Sequence, residues 1–251
     1  MINLKTKEWE IKNIDTILFD KDGTFIDLHF FWGQMTKLRV ETIIKKYNLG
    51  NEYFNKLCNH LGYDINKEQM KPDGITALYS RSKIIEIFKK DLEKYNVNIT
   101  EEELAKLFDE VSDIFYQNMT KYTKPIKAAI NFIKEIHSKG IKIGIVTSDS
   151  KESAILTLKH YNWEYLFDVV IGRESTPHTK ESGIPTKLAL ELLKSNPNNT
   201  IMIGDAPMDF ISAKNANIDK TILVATGQVT IDELKKTSKY SINSLDEIEL
   251  F

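Results

Sequence analysis

The sequence contains a single cysteine, Cys58, among its 251 residues. One cysteine excludes an intramolecular disulfide bond and any zinc site built from several cysteines. Arginine is almost as scarce: it occurs only at Arg39, Arg81 and Arg173, so lysine supplies nearly all of the basic charge. With six prolines and eleven glycines, the chain is neither a collagen-like fibre nor a disordered low-complexity protein.

Long hydrophobic runs are also missing from the sequence. No stretch approaches the roughly 20 apolar residues that a membrane-spanning helix needs, and residues 1–12 lack the apolar core of a signal peptide. The 34 basic and 36 acidic residues nearly cancel, which argues against a nucleic-acid binder that relies on a basic surface. We therefore expect a cytoplasmic protein with no membrane and no nucleic-acid partner. The sequence gives no indication of its oligomeric state.

Short apolar runs alternate with helical patterns in the second half of the chain. We predict buried strands over residues 16–19, 141–146, 169–171, 200–203 and 221–224. Helical patterns cover residues 126–137, 154–160, 185–194 and 210–216. Strands that alternate with helices predict an α/β fold, a Rossmann-like doubly wound parallel sheet with helices on both faces.

The region after the first predicted strand has a different pattern. Amphipathic helices are indicated over residues 39–47, 75–90 and 100–116, and no strand stands out. Thr100 and Glu103 have the spacing of a capping box at the start of the last helix. We therefore predict two domains, an α/β core formed by residues 1–26 and 123–251 and a helical insert over residues 27–122.

Polar clusters directly follow three of the predicted strands. They are Asp20-Lys21-Asp22-Gly23-Thr24, Thr147-Ser148-Asp149 and Gly204-Asp205-Ala206-Pro207-Met208-Asp209. In open parallel sheets, ligands bind outside the carboxyl ends of the strands, so these clusters should meet at one edge.

Four aspartates at this edge would oppose folding unless a cation compensates them. The four are Asp20, Asp22, Asp205 and Asp209, and the alternative is that some of them are ordinary helix caps and turn residues. Oxygen ligands of this kind suit a hard divalent ion, above all Mg²⁺. Of the paired carboxylates of Asp20 and Asp22, one could attack phosphorus while the other exchanges protons with the leaving oxygen. Gly23 lets the chain turn away, and the Thr147 hydroxyl with nearby amides and a lysine would hold phosphate oxygens.

These motifs resemble those of the haloacid dehalogenase-like superfamily, in particular its phosphoglycolate phosphatase-like group with a helical cap inserted after the first motif. Residues 20–24 are similar to the first motif, residues 145–148 to the second, and residues 204–209 to the fourth. The resemblance extends over essentially the whole chain. It implies an α/β core with the insert as a cap.

The resemblance also implies a role for each motif residue. Asp20 would be the nucleophile that forms an aspartyl-phosphate, and Asp22 would protonate the leaving group and then activate water. Mg²⁺ would be held by the Asp20 carboxylate, the Asp22 backbone carbonyl and Asp205, with Asp209 bound directly or through water. The phosphoryl group would be bound by Gly23, Thr147, Ser148 and a lysine. For that lysine we favour Lys180, although no Pro-x-Pro segment follows it, and Lys187 is the rival.

Other residues receive structural interpretations. We expect Lys21 to be a spacer, Asp149 to cap the helix that starts near residue 151, and Cys58 to pack inside the insert. The five histidines have no metal-ligand spacing. Arg39 and Arg81 are candidate substrate contacts in the insert, because guanidinium groups bind carboxylate or phosphate through paired hydrogen bonds, and the alternative for both is a place on the surface.

The leading functional hypothesis is a Mg²⁺-dependent phosphatase that acts on a small phosphorylated metabolite. A sugar phosphomutase is the main alternative, because the same residues would form the same phosphoenzyme. A phospho-receiver module is a less favoured reading, given the paired aspartates and the large insert. A haloacid dehalogenase would not need Asp22.

Overall fold

The computed structural model describes residues 1–251, except for the side chain of Thr120. It divides into two compact units, Met1–Asp27 with Lys124–Phe251, and Leu28–Thr123. The strands are β1 Ile2–Lys5, β2 Glu10–Ile14, β3 Thr16–Phe19, β4 Tyr63–Asp64, β5 Gln69–Met70, β6 Lys142–Val146, β7 Val169–Ile171, β8 Thr200–Gly204, β9 Thr221–Val224, β10 Ser241–Ile242 and β11 Glu249–Leu250. The α-helices are α1 Leu28–Tyr47, α2 Phe54–His60, α3 Ile75–Leu78, α4 Arg81–Glu93, α5 Glu101–Gln117, α6 Met119–Tyr122, α7 Lys127–Ser138, α8 Lys151–His160, α9 Ile184–Leu193, α10 Pro207–Asn215 and α11 Ile231–Thr237.

The first unit is built on a six-stranded parallel sheet in the order β10-β9-β8-β3-β6-β7. Every residue of the central strand β3 is buried, as expected for a strand that is covered on both faces. Leu18 in β3, Val146 in β6 and Met202 in β8 pack in one apolar cluster with residues of α9 and α10. The predicted α/β fold is confirmed, and the five predicted strands agree with β3, β6, β7, β8 and β9 to within one residue at each end.

The first unit also contains a small sheet that the sequence analysis did not predict. Its strand order is β11-β1-β2, and both pairings are antiparallel. β1 and β2 carry lysine, glutamate and asparagine on their exposed positions, while Ile2, Leu4, Ile11 and Ile14 are buried. Such short strands with few apolar residues give a weak sequence signal, and β11, the second partner of β1, lies at the other end of the chain.

The second unit, Leu28–Thr123, is mostly helical, with α1 packed on α5 and α4 packed on α5. Its bounds lie one residue from the predicted insert, 27–122. The capping box at the start of α5 is present, with the Thr100 hydroxyl accepting from the Glu103 amide at 3.1 Å. Three features were not predicted: α1 begins at Leu28, the predicted helix over 75–90 is interrupted by extended Tyr79, and β4 pairs with β5 in a short hairpin.

Polar candidates in the second unit pack within it. Arg39 is buried, with its guanidinium carbon 4.2 Å from the centre of the Phe108 ring, so it is part of the packing of α1 on α5. Arg81 donates to the Asp109 carboxylate at 2.6 Å and to the Ala105 carbonyl at 3.1 Å. Both arginines therefore have structural contacts, and the expectation that they bind substrate gains no support here. Among the described residues, no helix has the length and apolar character needed to cross a membrane.

Candidate active site

The polar clusters that follow the predicted strands lie at the carboxyl ends of three adjacent strands. Asp20 follows β3, Thr147 follows β6 and Asp205 follows β8, and these three strands are neighbours in the sheet. The backbone remains tied to the sheet beyond β3, because the Asp20 amide donates to the Ile203 carbonyl at 2.8 Å. The sheet topology therefore brings the three clusters to one edge, as the sequence predicts.

Asp20, Asp205 and Asp209 form a buried acidic group at this edge. One carboxylate oxygen from each lies within 4.8 Å of the others. Burial is the main cause of a raised pKa at Asp20, to about 7, and Lys180 only partly opposes it. Burial and the neighbouring aspartates also raise the pKa of Asp205 well above its usual value. The three carboxylates are therefore held close together at a clear electrostatic cost.

Lys180 provides the ammonium group nearest to this cluster. Its Nζ lies 2.6 Å from Asp20 Oδ1 and 2.6 Å from Asp209 Oδ1, and the lysine is buried. Burial alone would lower the pKa of Lys180, but the two carboxylates raise it overall, so the side chain stays charged. Lys187, the rival candidate, is an exposed residue of α9. The geometry therefore favours Lys180 as the lysine of the site.

The acidic group fits a divalent cation on the chemistry of its donors. Three carboxylates and one ammonium leave an excess of negative charge in a buried place, and carboxylate oxygens are hard ligands that suit Mg²⁺. Two glycines leave room for the Asp205 carboxylate, because they have no Cβ atom. A Cβ atom on Gly23 would lie 2.4 Å from an Asp205 carboxylate oxygen, and a Cβ on Gly227 would lie 1.7 Å from one.

We call Gly23, Thr226 and Gly227 the cradle of the acidic group. Thr226 and Gly227 were not predicted from the sequence. They follow the end of β9, the neighbour of β8, so they also lie at the carboxyl edge of the sheet. The Thr226 hydroxyl donates to the carbonyl of Gly23, which joins the loop after β9 to the loop after β3. Gly23 has φ +87°, a conformation that glycine adopts readily. The position of Thr226 and Gly227 directly after a buried strand was the signal that could have identified them.

Asp209 is held at the start of α10 by the backbone. Its Oδ2 accepts from the Ala206 amide at 3.0 Å, and it occupies the third position of the helix. A carboxylate in the first turn is stabilised by the helix dipole. Ala206 has no hydroxyl, so only its backbone amide contributes to the fixing of Asp209.

The Asp22 carboxylate is paired with the Lys21 ammonium group, and this contact requires the main correction to the sequence interpretation. Lys21 is fully buried, with Nζ 2.5 Å from Asp22 Oδ1 and 3.1 Å from Asp149 Oδ2, so it is not a mere spacer. Asp149 does not cap α8, because the Ser150 hydroxyl accepts the capping hydrogen bond from the Ser153 amide. Burial raises the pKa of Asp22, and Lys21 partly offsets the rise.

Thr147 and Ser148 line a surface pocket beside Lys180. Its walls are formed by Thr147, Ser148, Gly172, Arg173, His178, Thr179, Lys180, Glu181 and Pro185. Thr147 is buried, and its hydroxyl accepts from the Asp149 amide at 3.1 Å, which leaves its proton available for a ligand oxygen. Arg173 and His178 were not assigned to a binding site by the sequence analysis. The placement of Arg173 and His178 beside Thr147 and Lys180 depends on the loop between β7 and Lys180, which carries no periodic sequence pattern.

Comparisons with known proteins bear on the family and the fold of the chain. Residues 17–224 match the family model described as haloacid dehalogenase-like hydrolase. The chain is 30% identical over 223 residues to a protein of Caldanaerobacter subterraneus subsp. tengcongensis that carries the pyrophosphatase name PpaX, with coverage of 89% of this chain and 87% of the relative. It is 26% identical to a phosphoglycolate phosphatase of Aquifex aeolicus, with coverage of 86% and 87%. The β-phosphoglucomutase structure from Clostridium difficile has a TM-score of 0.62 at 20% identity, covering 93% of this chain and 92% of that one, and this likeness bears on the fold alone.

Proposed function

We propose that the chain hydrolyses a small phosphorylated metabolite with Mg²⁺. The premise is that the chain belongs to the haloacid dehalogenase-like hydrolase family and is a phosphatase of that family. The reaction would proceed through an aspartyl-phosphate on Asp20. One observation carries the proposal: Asp20 is buried between Lys180 and two further aspartates at the carboxyl edge of the sheet. The unit Leu28–Thr123 would serve as the cap, and the cytoplasmic location expected from the sequence stays a prediction.

The chain's own residues would divide the reaction into two steps. In the first step, an Asp20 oxygen forms a bond to phosphorus while the ester P–O bond breaks and Asp22 gives a proton to the leaving oxygen. In the second step, Asp22 takes a proton from water as the water oxygen forms a bond to phosphorus and the bond to Asp20 breaks. Thr147, Ser148 and Lys180 would bind the phosphoryl oxygens, and Gly23 would leave space for them.

Asp20, Asp205 and Asp209 would hold Mg²⁺, together with the backbone carbonyl of Asp22. When bound, the ion would neutralise charge on the transferring phosphoryl group and on the carboxylates around it. Lys180 would orient Asp20 through the contact at 2.6 Å and add positive charge close to the reacting phosphorus.

The substrate would carry a second anionic group next to the transferred phosphoryl group. Arg173 and His178 line the pocket that also includes Thr147 and Lys180, and a guanidinium group binds phosphate or carboxylate through paired hydrogen bonds. The names of the two relatives, pyrophosphatase and phosphoglycolate phosphatase, both denote substrates with such a second anion. Arg173→Met should therefore raise KM for pyrophosphate and phosphoglycolate more than for p-nitrophenyl phosphate, and an equal effect on all three would contradict this assignment.

The test of the reaction is turnover of a panel of phosphorylated metabolites with Mg²⁺, for the wild type and for Asp20→Asn and Asp22→Asn. Asp20→Asn should abolish hydrolysis, and retained turnover would exclude it as the nucleophile. Asp22→Asn should slow breakdown of the phosphoenzyme, so that label from a ³²P substrate is trapped on the protein after an acid quench. Release of a sugar phosphate isomer in place of phosphate would support the phosphomutase alternative. A stable phosphorylated form without turnover would support the receiver alternative.

A further inference from the structure

Lys21 is a fully buried charged residue whose function the proposed reaction does not explain. A lysine is almost never fully buried unless it is paired. Here the ammonium group lies between two carboxylates, 2.5 Å from Asp22 Oδ1 and 3.1 Å from Asp149 Oδ2. The contact therefore joins the loop after β3 to the loop after β6.

Asp149 is held firmly enough to anchor the lysine. Its amide donates to the Thr147 hydroxyl at 3.1 Å, and its carbonyl accepts from the Arg173 amide at 2.8 Å. Its Oδ1 accepts from the Ser150 amide at 2.7 Å, which leaves Oδ2 to face Lys21. The backbone and one carboxylate oxygen of Asp149 are thus both engaged, so its other oxygen has a defined position.

The backbone of Lys21 is also fixed. Its carbonyl accepts from the amides of Thr24, Phe25 and Ile26, at 3.3, 3.1 and 3.1 Å. The chain turns tightly at this point, and the Gly23 amide donates to the Ile26 carbonyl at 2.8 Å. Asp22 therefore stands on a rigid turn, with one of its two carboxylate oxygens held by the lysine.

We propose that Lys21, anchored by Asp149, is a positioning residue that fixes Oδ1 of Asp22 and leaves Oδ2 as the oxygen that exchanges the proton. This inference rests on the proposed function. In the first step, the Oδ2 proton passes to the ester oxygen as the P–O bond breaks and Asp20 bonds to phosphorus. In the second step, Oδ2 takes a proton from water as the water oxygen bonds to phosphorus and the bond to Asp20 breaks.

The nucleophile has a matching arrangement, which separates the roles of the two buried lysines. Lys180 lies 2.6 Å from both Asp20 and Asp209, just as Lys21 lies between Asp22 and Asp149. Each reacting carboxylate is thus held by its own lysine. Loss of Lys180 should lower kcat/KM for every substrate, whereas loss of Lys21 should lower kcat/KM only for substrates whose leaving group needs a proton.

The experiment compares kcat/KM for an alkyl phosphate and for p-nitrophenyl phosphate in the Lys21→Met variant. An alkoxide is a poor leaving group that needs the proton, whereas p-nitrophenolate departs without it, and kcat/KM reports the steps up to phosphoryl transfer. For the alkyl ester we expect a loss on the order of tenfold to a hundredfold, part of the roughly 10²–10⁴-fold that general acid catalysis supplies. The aryl ester should change by less than about threefold, because its transfer step draws little on the general acid. Lys235→Met, a surface lysine paired with Glu8, is the matched control and should change neither value.

A double-mutant cycle with Asp22→Asn distinguishes positioning from a general structural effect. If Lys21 acts through Asp22, Lys21→Met should leave the alkyl-to-aryl ratio of kcat/KM unchanged once Asp22 is already asparagine. If Lys21 had a purely structural role, Lys21→Met would lower kcat/KM for both esters by the same factor in both backgrounds. An unchanged ratio in the single Lys21→Met variant, or an equal fall of the ratio in both backgrounds, would overturn the proposal.

Asp149→Asn keeps the test decisive if Lys21→Met does not fold. This variant retains Lys21 and an oxygen that can accept from the Ser150 amide, but it removes the charge that anchors the lysine. It should lower the alkyl-to-aryl ratio in the same direction, and an unchanged ratio would overturn the proposal. If the wild type shows no Asp20-dependent hydrolysis of either ester, the proposed function itself fails. If that hydrolysis is present and the ratio does not move, only the positioning role fails.

Discussion

Asp20→Asn should stabilise the metal-free protein at neutral and alkaline pH while it abolishes activity. The folded protein raises the pKa of Asp20 from 3.8 to about 7, chiefly by burial. An acid with a raised pKa binds its proton more tightly in the folded state, so its contribution is fully present below pH 3.8 and is lost as the pH rises through about 7. Each pKa unit corresponds to about 1.4 kcal/mol, so the free energy of unfolding should fall by up to about 4 kcal/mol across this interval.

The measurement is urea unfolding with EDTA at pH 4.5 and pH 8. Because asparagine cannot ionise, the variant should be more stable than the wild type at pH 8 by up to about 4 kcal/mol, with little difference at pH 4.5. Asp219→Asn, at an exposed aspartate, should show no such pH-dependent gain. A variant that is less stable than the wild type at pH 8, or equally stable at both pH values, would refute the electrostatic reasoning. With saturating Mg²⁺ the order should reverse, because the ion stabilises only the protein that binds it well.

Three further results are expected at the same site. Lys180→Met should lower kcat by about 10²–10³-fold for all esters, as for loss of a charge-stabilising group, while Lys187→Met leaves it unchanged; equal effects in a phosphate-release assay would reverse the choice between the two lysines. Gly227→Ala should weaken Mg²⁺ activation by about tenfold or more, because its Cβ would overlap the Asp205 carboxylate; an unchanged Mg²⁺ titration would refute the cradle. Mg²⁺ binding near pH 7 should release protons from Asp20 and Asp205, seen as a dependence of the calorimetric heat on buffer ionisation enthalpy, and no dependence would contradict their raised pKa values.

Sequence patterns predicted the strands of the core and the place of the acidic residues with good accuracy. The strands are continuous buried runs, and a parallel sheet brings their carboxyl ends to one edge, so position after a strand is enough to group Asp20, Thr147 and Asp205. Lys180 could be chosen only by likeness to a motif that it matches in part. Its contacts with Asp20 and Asp209 depend on a loop whose path no local pattern indicates.

The failures have a common physical cause. Lys21 was interpreted as a spacer, but it is buried between Asp22 and Asp149, and the second of these partners comes from the distant loop after β6. Thr226 donates to the carbonyl of Gly23, 203 residues away in the chain, and the strands β1 and β11 pair from opposite ends of the chain. In each case the deciding contact joins segments that are far apart in the sequence.

The central position of β3 has a consequence for how the protein folds. Phe19, the residue before Asp20, pairs with Ile145 on one side and with Ile203 on the other, so the strand that carries the nucleophile needs partners from two distant parts of the chain. The first of these pairings closes a loop that contains the whole of Leu28–Thr123. Such non-local pairings cost chain entropy before their contacts stabilise the fold, and they therefore slow folding. The cation site should therefore form only after the sheet is assembled, and tight metal binding during refolding should report completion of the core.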